Sequence, residues 1–293
     1  MNSMKNNKGI ILAGGAGTRL HPLTKVISKQ LLPIYNKPMI YYPLALLVDA
    51  GINDILIITT PEDRDKFFSL LKGGEDWGVK ISYLTQEKPE GIAQAFLIAE
   101  NWLNNSSVTL ILGDNLFFGK DLPKILKRTI NANKGASIFA YEVDEPNRFG
   151  VIDLDKDNKV TSIEEKPKFP KSNWAVTGLY VYNEDVCRYA KNLKMSKRGE
   201  LEITDLLNLY RKKGKLSADL IGRGGAWLDT GSISDFYKTS NFVSAIENIQ
   251  GFKIACLEEI AYLNKWINKK DIIKSIKFYG NCEYSNYLRK LIY

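Results

Sequence analysis

The sequence of 293 residues predicts an α/β fold in which a mostly parallel central sheet is covered by helices on both faces. Up to about residue 112, short apolar segments alternate with longer segments whose apolar residues have helical spacing. Strands that are apolar throughout are buried on both sides, which is typical of a parallel sheet between two helical layers. Beyond residue 135, strand-like segments follow one another and predict a β-rich extension, and the last segment is helical.

The elements of the first half follow from apolar runs and from the glycines that end them. A strand is predicted at Gly9–Ala13, where the apolar run ends in glycines. A helix is predicted over Pro38–Gly51, since its apolar residues have helical spacing and a glycine closes it. Further strands are predicted at Asp54–Thr59, Val79–Leu84 and Val108–Leu112, and further helices at Glu62–Lys72 and Ile92–Leu103. Ligands bind at the carboxyl ends of parallel strands, so the loops at Gly14, Thr85 and Gly113 are candidate sites.

The second half contains more strand-like segments, separated by turns, before the chain becomes helical. The predicted strands are Ser137–Val143, Phe149–Leu154, Val160–Glu165, Ala175–Tyr182 and Ser217–Ile221. The predicted helices are Glu202–Lys212 and Ser232–Ile249, and an amphipathic helical region begins at Leu257. We therefore expect residues 1–250 to form one α/β domain, with a division near residue 135, and residues 251–293 to form a C-terminal helical segment.

The composition, 44% hydrophobic and 25% charged, is that of a globular protein. A net charge of +8 is one signature of nucleic-acid binding, but the basic residues are dispersed, and an anionic small substrate explains the charge equally well, so we expect no nucleic-acid partner. The single histidine, His21, and three scattered cysteines provide no zinc site and favour a reducing cytoplasm. The first apolar run is too short for a signal peptide or membrane span, so we expect no membrane association.

A glycine-rich loop follows the first strand, with the sequence LAGGAGTRL over residues 12–20. Glycines allow backbone N–H groups to approach phosphates closely, and Arg19 adds a charged donor. The alternative is a tight turn without a ligand. A dinucleotide fingerprint would need glycine at Leu20, and a P-loop would need Gly-Lys at residues 19 and 20, so both common phosphate motifs are excluded.

Three further charged residues are candidates for binding phosphates or metal. Lys29 can fold back over the glycine-rich loop, although an exposed surface lysine is the alternative. Asp114 and Asp229 each follow an apolar strand-like segment, and carboxylates in that position suit Mg²⁺, which takes one or two of them together with phosphate oxygens. From the residues alone, either aspartate could instead be a helix N-cap or a turn residue.

The glycine-rich loop, together with KQLLP at residues 29–33, resembles the signature of the sugar nucleotidyltransferases. Residues 35–44, 176–180, 198–205, 226–231 and 255–261 resemble segments of one branch of that family, the glucose-1-phosphate thymidylyltransferases. The resemblance extends from Gly9 to about Ile292. It implies a Rossmann-like sheet, in which residues 1–135 bind a nucleotide and residues 136–250 form the part that binds a sugar.

The resemblance implies transfer of a thymidylyl group from dTTP to α-D-glucose 1-phosphate, with Mg²⁺ held by Asp114 and Asp229. The attacking phosphate is already anionic, so catalysis needs positioning and charge neutralisation rather than a general base, and this agrees with the single histidine. The catalytic residues implied are Arg19, Lys29 and Lys166. The nucleotide-binding residues implied are Leu12, Gly14, Gly15, Gly17, Thr18, Arg19, Gln86, Gly91 and Asp114, and the sugar-binding residues are Asn115, Gly150, Glu165, Lys166, Val176 and Arg198.

Two alternative functions stay open at this point. The amide of Gln86 suits the imide edge that thymine and uracil share, so a UTP-dependent sugar-1-phosphate uridylyltransferase is one alternative. A non-catalytic sugar-nucleotide sensor would be expected to lack Arg19, Lys29 or the two aspartates. The resemblance also implies a homotetramer and feedback by dTDP-L-rhamnose, the product of the pathway that the enzyme begins.

Overall fold

The computed structural model describes residues 7–15 and 17–293. In chain order its strands are β1 Asn7–Ala13, β2 Pro33–Ile34, β3 Lys37–Pro38, β4 Asp54–Thr59, β5 Lys80–Thr85, β6 Ser107–Leu112, β7 Asn115–Phe118, β8 Ala136–Glu142, β9 Gly150–Leu154, β10 Val160–Glu165, β11 Trp174–Tyr182, β12 Leu216–Ile221 and β13 Ala226–Asp229. Its α-helices are α1 Tyr41–Asp49, α2 Arg64–Leu71, α3 Gln94–Ile98, α4 Glu100–Leu103, α5 Leu122–Ala132, α6 Val186–Ala190, α7 Ile203–Lys212, α8 Ile233–Gln250, α9 Leu257–Leu263, α10 Lys269–Tyr279 and α11 Glu283–Ile292.

One large sheet contains nine of the strands in the described part of the chain. Its main order is β10-β9-β11-β6-β1-β4-β5, and β8 joins it by pairing with β11 and β12. Strands β6, β1, β4 and β5 are parallel, as the alternation of strands and helices predicted. Strand β11 lies antiparallel to β6, and through it the β-rich extension continues the same sheet.

Helices cover both faces of this sheet, and neighbouring residues of β1 show why. The side chain of Ile11 belongs to a buried cluster that contains Leu44 and Leu47 of α1. The next side chain, Ile10, points to the opposite face and belongs to a second cluster, which contains Phe96 of α3. The predicted α/β fold with helices on both faces is therefore confirmed.

The C-terminal helices α9, α10 and α11 contribute to the first of these clusters. Their buried residues Leu257, Ile272 and Leu288 are completely inaccessible and share that cluster with residues of the sheet. The division of the chain near residues 135 and 250 stays a prediction. In the part of the chain that the structure describes, no helix is both long and apolar enough to cross a membrane.

Some element boundaries differ from the sequence prediction. The helix predicted from Pro38 begins only at Tyr41, because Lys37–Pro38 pairs with Pro33–Ile34 in a short hairpin. The helix predicted over Ile92–Leu103 consists of two shorter helices that meet at Ala99. Helices α5 and α6 and strand β7 were not predicted.

A small second sheet has the greatest consequence for the site. Strands β7 and β13 pair antiparallel, with Asn115 opposite Asp229. Asp114 immediately precedes β7, so this pairing brings two acidic residues together from positions far apart in the sequence.

Candidate active site

The glycine-rich loop lies at the carboxyl end of β1, beside the end of β6. Gly17 has a φ of 62°, a left-handed conformation that suits glycine, and precedes a single 3₁₀ turn over Thr18–Leu20. The carbonyl of Gly17 accepts a hydrogen bond from the hydroxyl of Thr24 (2.7 Å). Thr18 is exposed, and around Gly15 there is open space where a side chain would stand. The loop is therefore held from one side and leaves room for a ligand on the other.

Asp114 lies at the carboxyl end of β6 and is the centre of the charged cluster. Its Oδ2 accepts a hydrogen bond from the ammonium group of the buried Lys29 (2.7 Å), and its Oδ1 accepts one from the amide of Asn115 (3.0 Å). Its backbone carbonyl accepts a bond from the hydroxyl of Thr230 (2.8 Å), which fixes the turn after β13 against the turn after β6.

Asp229 faces the same cluster from the small sheet. Burial, and next the negative charge of Asp114, raise the pKa of Asp229 to about 6. The cations Lys29, Arg19 and Arg148 act in the opposite direction without cancelling that effect. Two carboxylates are thus close enough to repel one another, and cations surround them.

This donor set fits a hard divalent cation. Such an ion takes carboxylate oxygens and completes its coordination with phosphate oxygens and water, so a pair of protein carboxylates beside open space is sufficient. A cation between Asp114 and Asp229 would offset the repulsion that, after burial, raises the pKa of Asp229. Within residues 7–15 and 17–293, no group of three or more acidic, cysteine or histidine side chains is arranged to hold a metal ion, so these residues offer no closed cage made of protein ligands alone.

A cavity of about 230 Å³ opens beside the two aspartates and extends towards the β-rich part of the sheet. Its walls include all of the residues predicted to bind the sugar and several of those predicted for phosphate or metal. The predicted residues that line it are Arg19, Asp114, Asn115, Gly150, Glu165, Lys166, Val176, Arg198 and Asp229.

Glu165 and Lys166, at the end of β10, form the far wall of this cavity. Lys166 has a φ of 44°, which is uncommon for a residue with a side chain, and its N–H donates to the carbonyl of Phe149 (3.0 Å). Its ammonium group lies 3.8 Å from Glu165, whose pKa is raised chiefly by burial. The strained backbone thus places an amine and a half-buried carboxyl group side by side at the sugar end of the cavity.

Arg198 reaches the same wall from the loop before α7. Its guanidinium donates to both carboxylate oxygens of Glu202, at 2.9 and 2.8 Å, and lies 3.6 Å from Glu165. Burial raises the pKa of Glu202, but its hydrogen bonds from Arg198 and Ser196 outweigh this and leave the pKa below its usual value. Glu202 therefore holds Arg198 in place, and the sequence analysis did not select it, although its spacing of four residues from Arg198 was a signal.

Gln86 and Gly91 do not line this cavity, although Ile92, the neighbour of Gly91, does. Gln86 is only 4% exposed, and its side-chain oxygen lies close to Gly14, where a Cβ would stand 2.5 Å from it. Gly91 has a φ of 101° and lies against the backbone of Leu201. Gln86 therefore lies against the glycine-rich loop, whereas Gly91 lies against Leu201, whose neighbours Glu200 and Glu202 line the cavity.

Two predicted residues make their polar contacts within the protein. The carbonyl of Leu12 accepts a hydrogen bond from Gly113 (2.9 Å). The side-chain oxygen of Asn115 accepts bonds from the indole of Trp227 (2.6 Å) and the N–H of Gly178 (3.1 Å). Asn115 therefore connects the small sheet to β11 beneath the cavity, and its role in binding a sugar stays a prediction.

Arg148 is a further cation at the cavity, and the sequence analysis did not select it. Its guanidinium donates to Asp235 (3.0 Å), which also accepts a bond from Ser232 at the start of α8 (2.7 Å). Arg148 and Asp235 are far apart in the sequence and no periodic pattern connects them, so no sequence signal could have paired them.

The chain matches the model of the family described as nucleotidyl transferase over residues 8–245. The chain belongs to this family, and it is a nucleotidyltransferase. It is 51% identical to a glucose-1-phosphate thymidylyltransferase of Neisseria gonorrhoeae, over 97% of this chain and 99% of the relative.

Solved structures agree with this assignment. A Bacillus anthracis protein, described as a glucose-1-phosphate thymidylyltransferase in complex with sucrose, is 43% identical with a TM-score of 0.74, over 80% of this chain and 94% of that chain. A UDP-glucose pyrophosphorylase complexed with UDP-glucose is 27% identical with a TM-score of 0.73, over 83% of this chain and 99% of that chain.

Proposed function

We propose that this chain transfers a thymidylyl group from dTTP to α-D-glucose 1-phosphate and releases pyrophosphate and dTDP-glucose. The observation that carries the proposal is the paired arrangement of Asp114 and Asp229, with Lys29 and Arg19 beside them. The 51% sequence identity to a glucose-1-phosphate thymidylyltransferase, over 97% of this chain, supports the same reaction.

The proposed chemistry joins two anions that repel one another. Lys166 and Arg198 bind the phosphate of the sugar phosphate, and Glu165 accepts hydrogen bonds from sugar hydroxyl groups. Arg19 and Lys29 bind the triphosphate and stabilise the charge that develops on the departing pyrophosphate. A phosphate oxygen of the sugar phosphate then attacks the α-phosphorus in line with the leaving group. No general base is needed, because the nucleophile is already ionised.

The aspartates supply the remaining part of the site. Asp114 and Asp229 would hold Mg²⁺, which when bound neutralises phosphate charge and orients the triphosphate. Because Lys29 contacts Asp114 directly, the lysine is held next to the carboxylate that faces the phosphates. In this arrangement a cation and an anionic carboxylate position each other before substrates arrive.

A UTP-dependent reaction is the second candidate. It is supported by the structural similarity to a UDP-glucose pyrophosphorylase, although at lower sequence identity than the thymidylyltransferase of known structure. Gln86 suits the imide edge that thymine and uracil share, so this residue does not separate the two. Turnover of dTTP and UTP with the same sugar phosphate distinguishes the two proposals.

The wider context of the reaction is part of the same proposal. We place the enzyme at the first step of dTDP-L-rhamnose synthesis in the cytoplasm, as a homotetramer under feedback by dTDP-L-rhamnose. The cytoplasmic location is supported by the cysteines, since Cys187, Cys256 and Cys282 are all free.

The decisive experiment measures pyrophosphate release from dTTP, α-D-glucose 1-phosphate and Mg²⁺. We expect turnover by the natural protein and a loss of about 10²–10³-fold in kcat for Asp114→Asn, which keeps the size of the side chain but weakens the metal ligand. The exposed Asp157→Asn serves as the matched control and should be unchanged. Absence of turnover in the natural protein refutes the proposed reaction, and full activity of Asp114→Asn refutes the role of that carboxylate.

A further inference from the structure

The side chain of Gln86 is held by a short chain of hydrogen bonds at the end of β5. Its backbone N–H donates to the carbonyl of Thr59 at the end of β4 (2.7 Å), which fixes its position beside the glycine-rich loop. Its side-chain Nε2 donates to Oε1 of Gln94, in the first turn of α3. Gln94 is itself bonded twice to Glu90, through the backbone and through the side chain.

These contacts determine which way the amide of Gln94 points. Its Oε1 accepts from the backbone N–H of Glu90 (3.2 Å), a group that can only donate. Its Nε2 donates to the carboxylate of Glu90 (2.7 Å), a group that can only accept when ionised. If the amide of Gln94 were rotated by 180°, both contacts would bring like groups together. The amide therefore has one favourable orientation.

The orientation of Gln94 in turn determines that of Gln86. The oxygen of Gln94 requires a donor, so Gln86 must present its Nε2 there, and its own Oε1 points the other way, towards Gly14. Among residues 7–15 and 17–293, the Oε1 acceptor of Gln86 and one N–H of its amide have no hydrogen-bond partner. Because Gln86 is 4% exposed, water offers little alternative to these contacts.

Glu90 is in turn fixed by backbone contacts. Its carbonyl accepts a hydrogen bond from the N–H of Leu201 (2.7 Å), and Ala93 donates to the carbonyl of Leu201 (3.3 Å). Gly91, which lies between Glu90 and Ala93 in the sequence, has a φ of 101°, and the backbone of Leu201 leaves no space there for a Cβ. The position of Glu90 therefore does not depend on a flexible side chain.

A fixed amide distinguishes between pyrimidines, whereas a freely rotating amide does not. The imide edge of thymine and uracil has an N–H donor between two carbonyl acceptors. Cytosine has an acceptor at the corresponding ring nitrogen, and an amino donor replaces one of the carbonyl groups. Rotation of a glutamine amide by 180° exchanges its donor and acceptor, so a freely rotating Gln86 could pair with either edge.

We propose that Gln94 and Glu90 determine the selectivity of this protein for the imide edge over cytosine by holding the amide of Gln86 in one orientation. The proposal rests on the proposed function, in which Gln86 contacts the base of the nucleotide. Gln94 and Glu90 are positioning residues, because they act on the base only through Gln86.

The first test replaces Gln94 by methionine, which has a similar size and no hydrogen-bonding amide. With glucose 1-phosphate as co-substrate, we expect the ratio of kcat/KM for dTTP to that for dCTP to fall by about tenfold, the equivalent of roughly one hydrogen bond. The change should appear in KM, with kcat at saturating dTTP nearly unchanged, while the ratio of dTTP to UTP stays constant. The matched control is Gln250→Met, at the exposed end of α8, where no change is expected.

The second test exchanges the two groups. Gln94→Glu alone places two carboxylates against each other. We expect their repulsion to displace the carboxylate at residue 94 from Gln86, so that the dTTP-to-dCTP ratio falls as it does for Gln94→Met. Adding Glu90→Gln introduces an amide at residue 90 that can donate to the carboxylate at residue 94. The other oxygen of that carboxylate can then accept from Gln86, so the combined variant should recover most of the dTTP-to-dCTP ratio.

The possible outcomes separate this proposal from others. An equal loss with all three nucleotides would indicate that Gln94 only supports the fold, and it overturns the proposal, as does the absence of recovery in the combined variant. If Gln94→Met does not fold, the comparison of Gln94→Glu with the combined variant still decides. Failure of the natural protein to use either dTTP or UTP refutes the proposed function instead.

Discussion

The buried carboxylate of Glu247 on α8 provides the sharpest prediction about stability. Glu247 is 2% exposed and accepts hydrogen bonds from Lys37 (2.8 Å), Lys253 (3.0 Å), Asn36 (2.7 Å) and the N–H of Ile254 (2.9 Å). It thereby joins the hairpin of β2 and β3 to α8 and to the segment that leads into α9. Lys37 is 3% exposed, so its ammonium group has little contact with water, and Glu247 provides its counter-charge.

We expect Glu247→Leu to lower the free energy of unfolding by about 3–5 kcal/mol, because it leaves the ammonium group of Lys37 buried without its counter-charge. The double variant Glu247→Leu with Lys37→Met removes both charges and should be more stable than the single variant by about 2 kcal/mol or more. Equilibrium unfolding in urea at fixed protein concentration measures both differences.

The pH dependence of the same variants gives an independent check. Burial raises the pKa of Glu247, but the hydrogen bonds and charge of Lys37 outweigh it and hold the pKa below its usual value. A lowered carboxyl pKa contributes stability above the pKa of the unfolded chain, about 4.3, and this contribution is lost as the pH falls through the folded value. The difference between natural protein and Glu247→Leu should therefore shrink below about pH 4. A loss under about 1 kcal/mol at pH 7, or a difference that is constant down to pH 3, refutes this reasoning.

Two further predictions concern residues predicted to bind the sugar phosphate and the nucleotide. Arg198→Ala should raise KM for glucose 1-phosphate about tenfold and leave KM for dTTP nearly constant in steady-state assays. The control is Lys197→Ala, a change at the exposed neighbouring residue. An equal rise in KM for both substrates would contradict the assignment of Arg198 to the sugar phosphate. Gly91→Ala should lower the free energy of unfolding by about 1–3 kcal/mol, since its φ is 101° and a Cβ would lie 2.4 Å from the carbonyl oxygen of Leu201. Gly214→Ala, with a φ of 65° and free space, should cost less in the same urea titration, and equal losses would show that the contact has no effect.

The parallel part of the fold could be predicted from the sequence because its strands are apolar throughout. The strand predicted at Asp54–Thr59 has the same limits in the structure, and it is buried along nearly its whole length. The start of α1 could not be predicted, since Pro38 is compatible with the first turn of a helix and only its pairing with Pro33 places it in a hairpin. Helix α5 lay in a segment that the sequence analysis left unassigned.

The components of the site could be found in the sequence more easily than their arrangement. Individual candidates such as Asp114 and Asp229 follow apolar strand-like segments and were selected on that basis together with the resemblance. Their proximity depends on the pairing of β7 with β13, and one sequence contains no information about such long-range pairing. The same limit applies to the contact between Arg148 and Asp235, whereas the spacing of Arg198 and Glu202 was visible as a local pattern.

The backbone contact between Leu201 and the segment Glu90–Ala93 joins two regions with different proposed ligands. One region precedes α3 and carries the groups proposed to bind the base, and the other contains Arg198, proposed to bind the sugar phosphate. Immobilising either region restricts the other through these shared hydrogen bonds. We therefore expect the substrate that binds second to lose less conformational entropy on binding, which would be a source of cooperativity between unlike ligands that needs no change of shape.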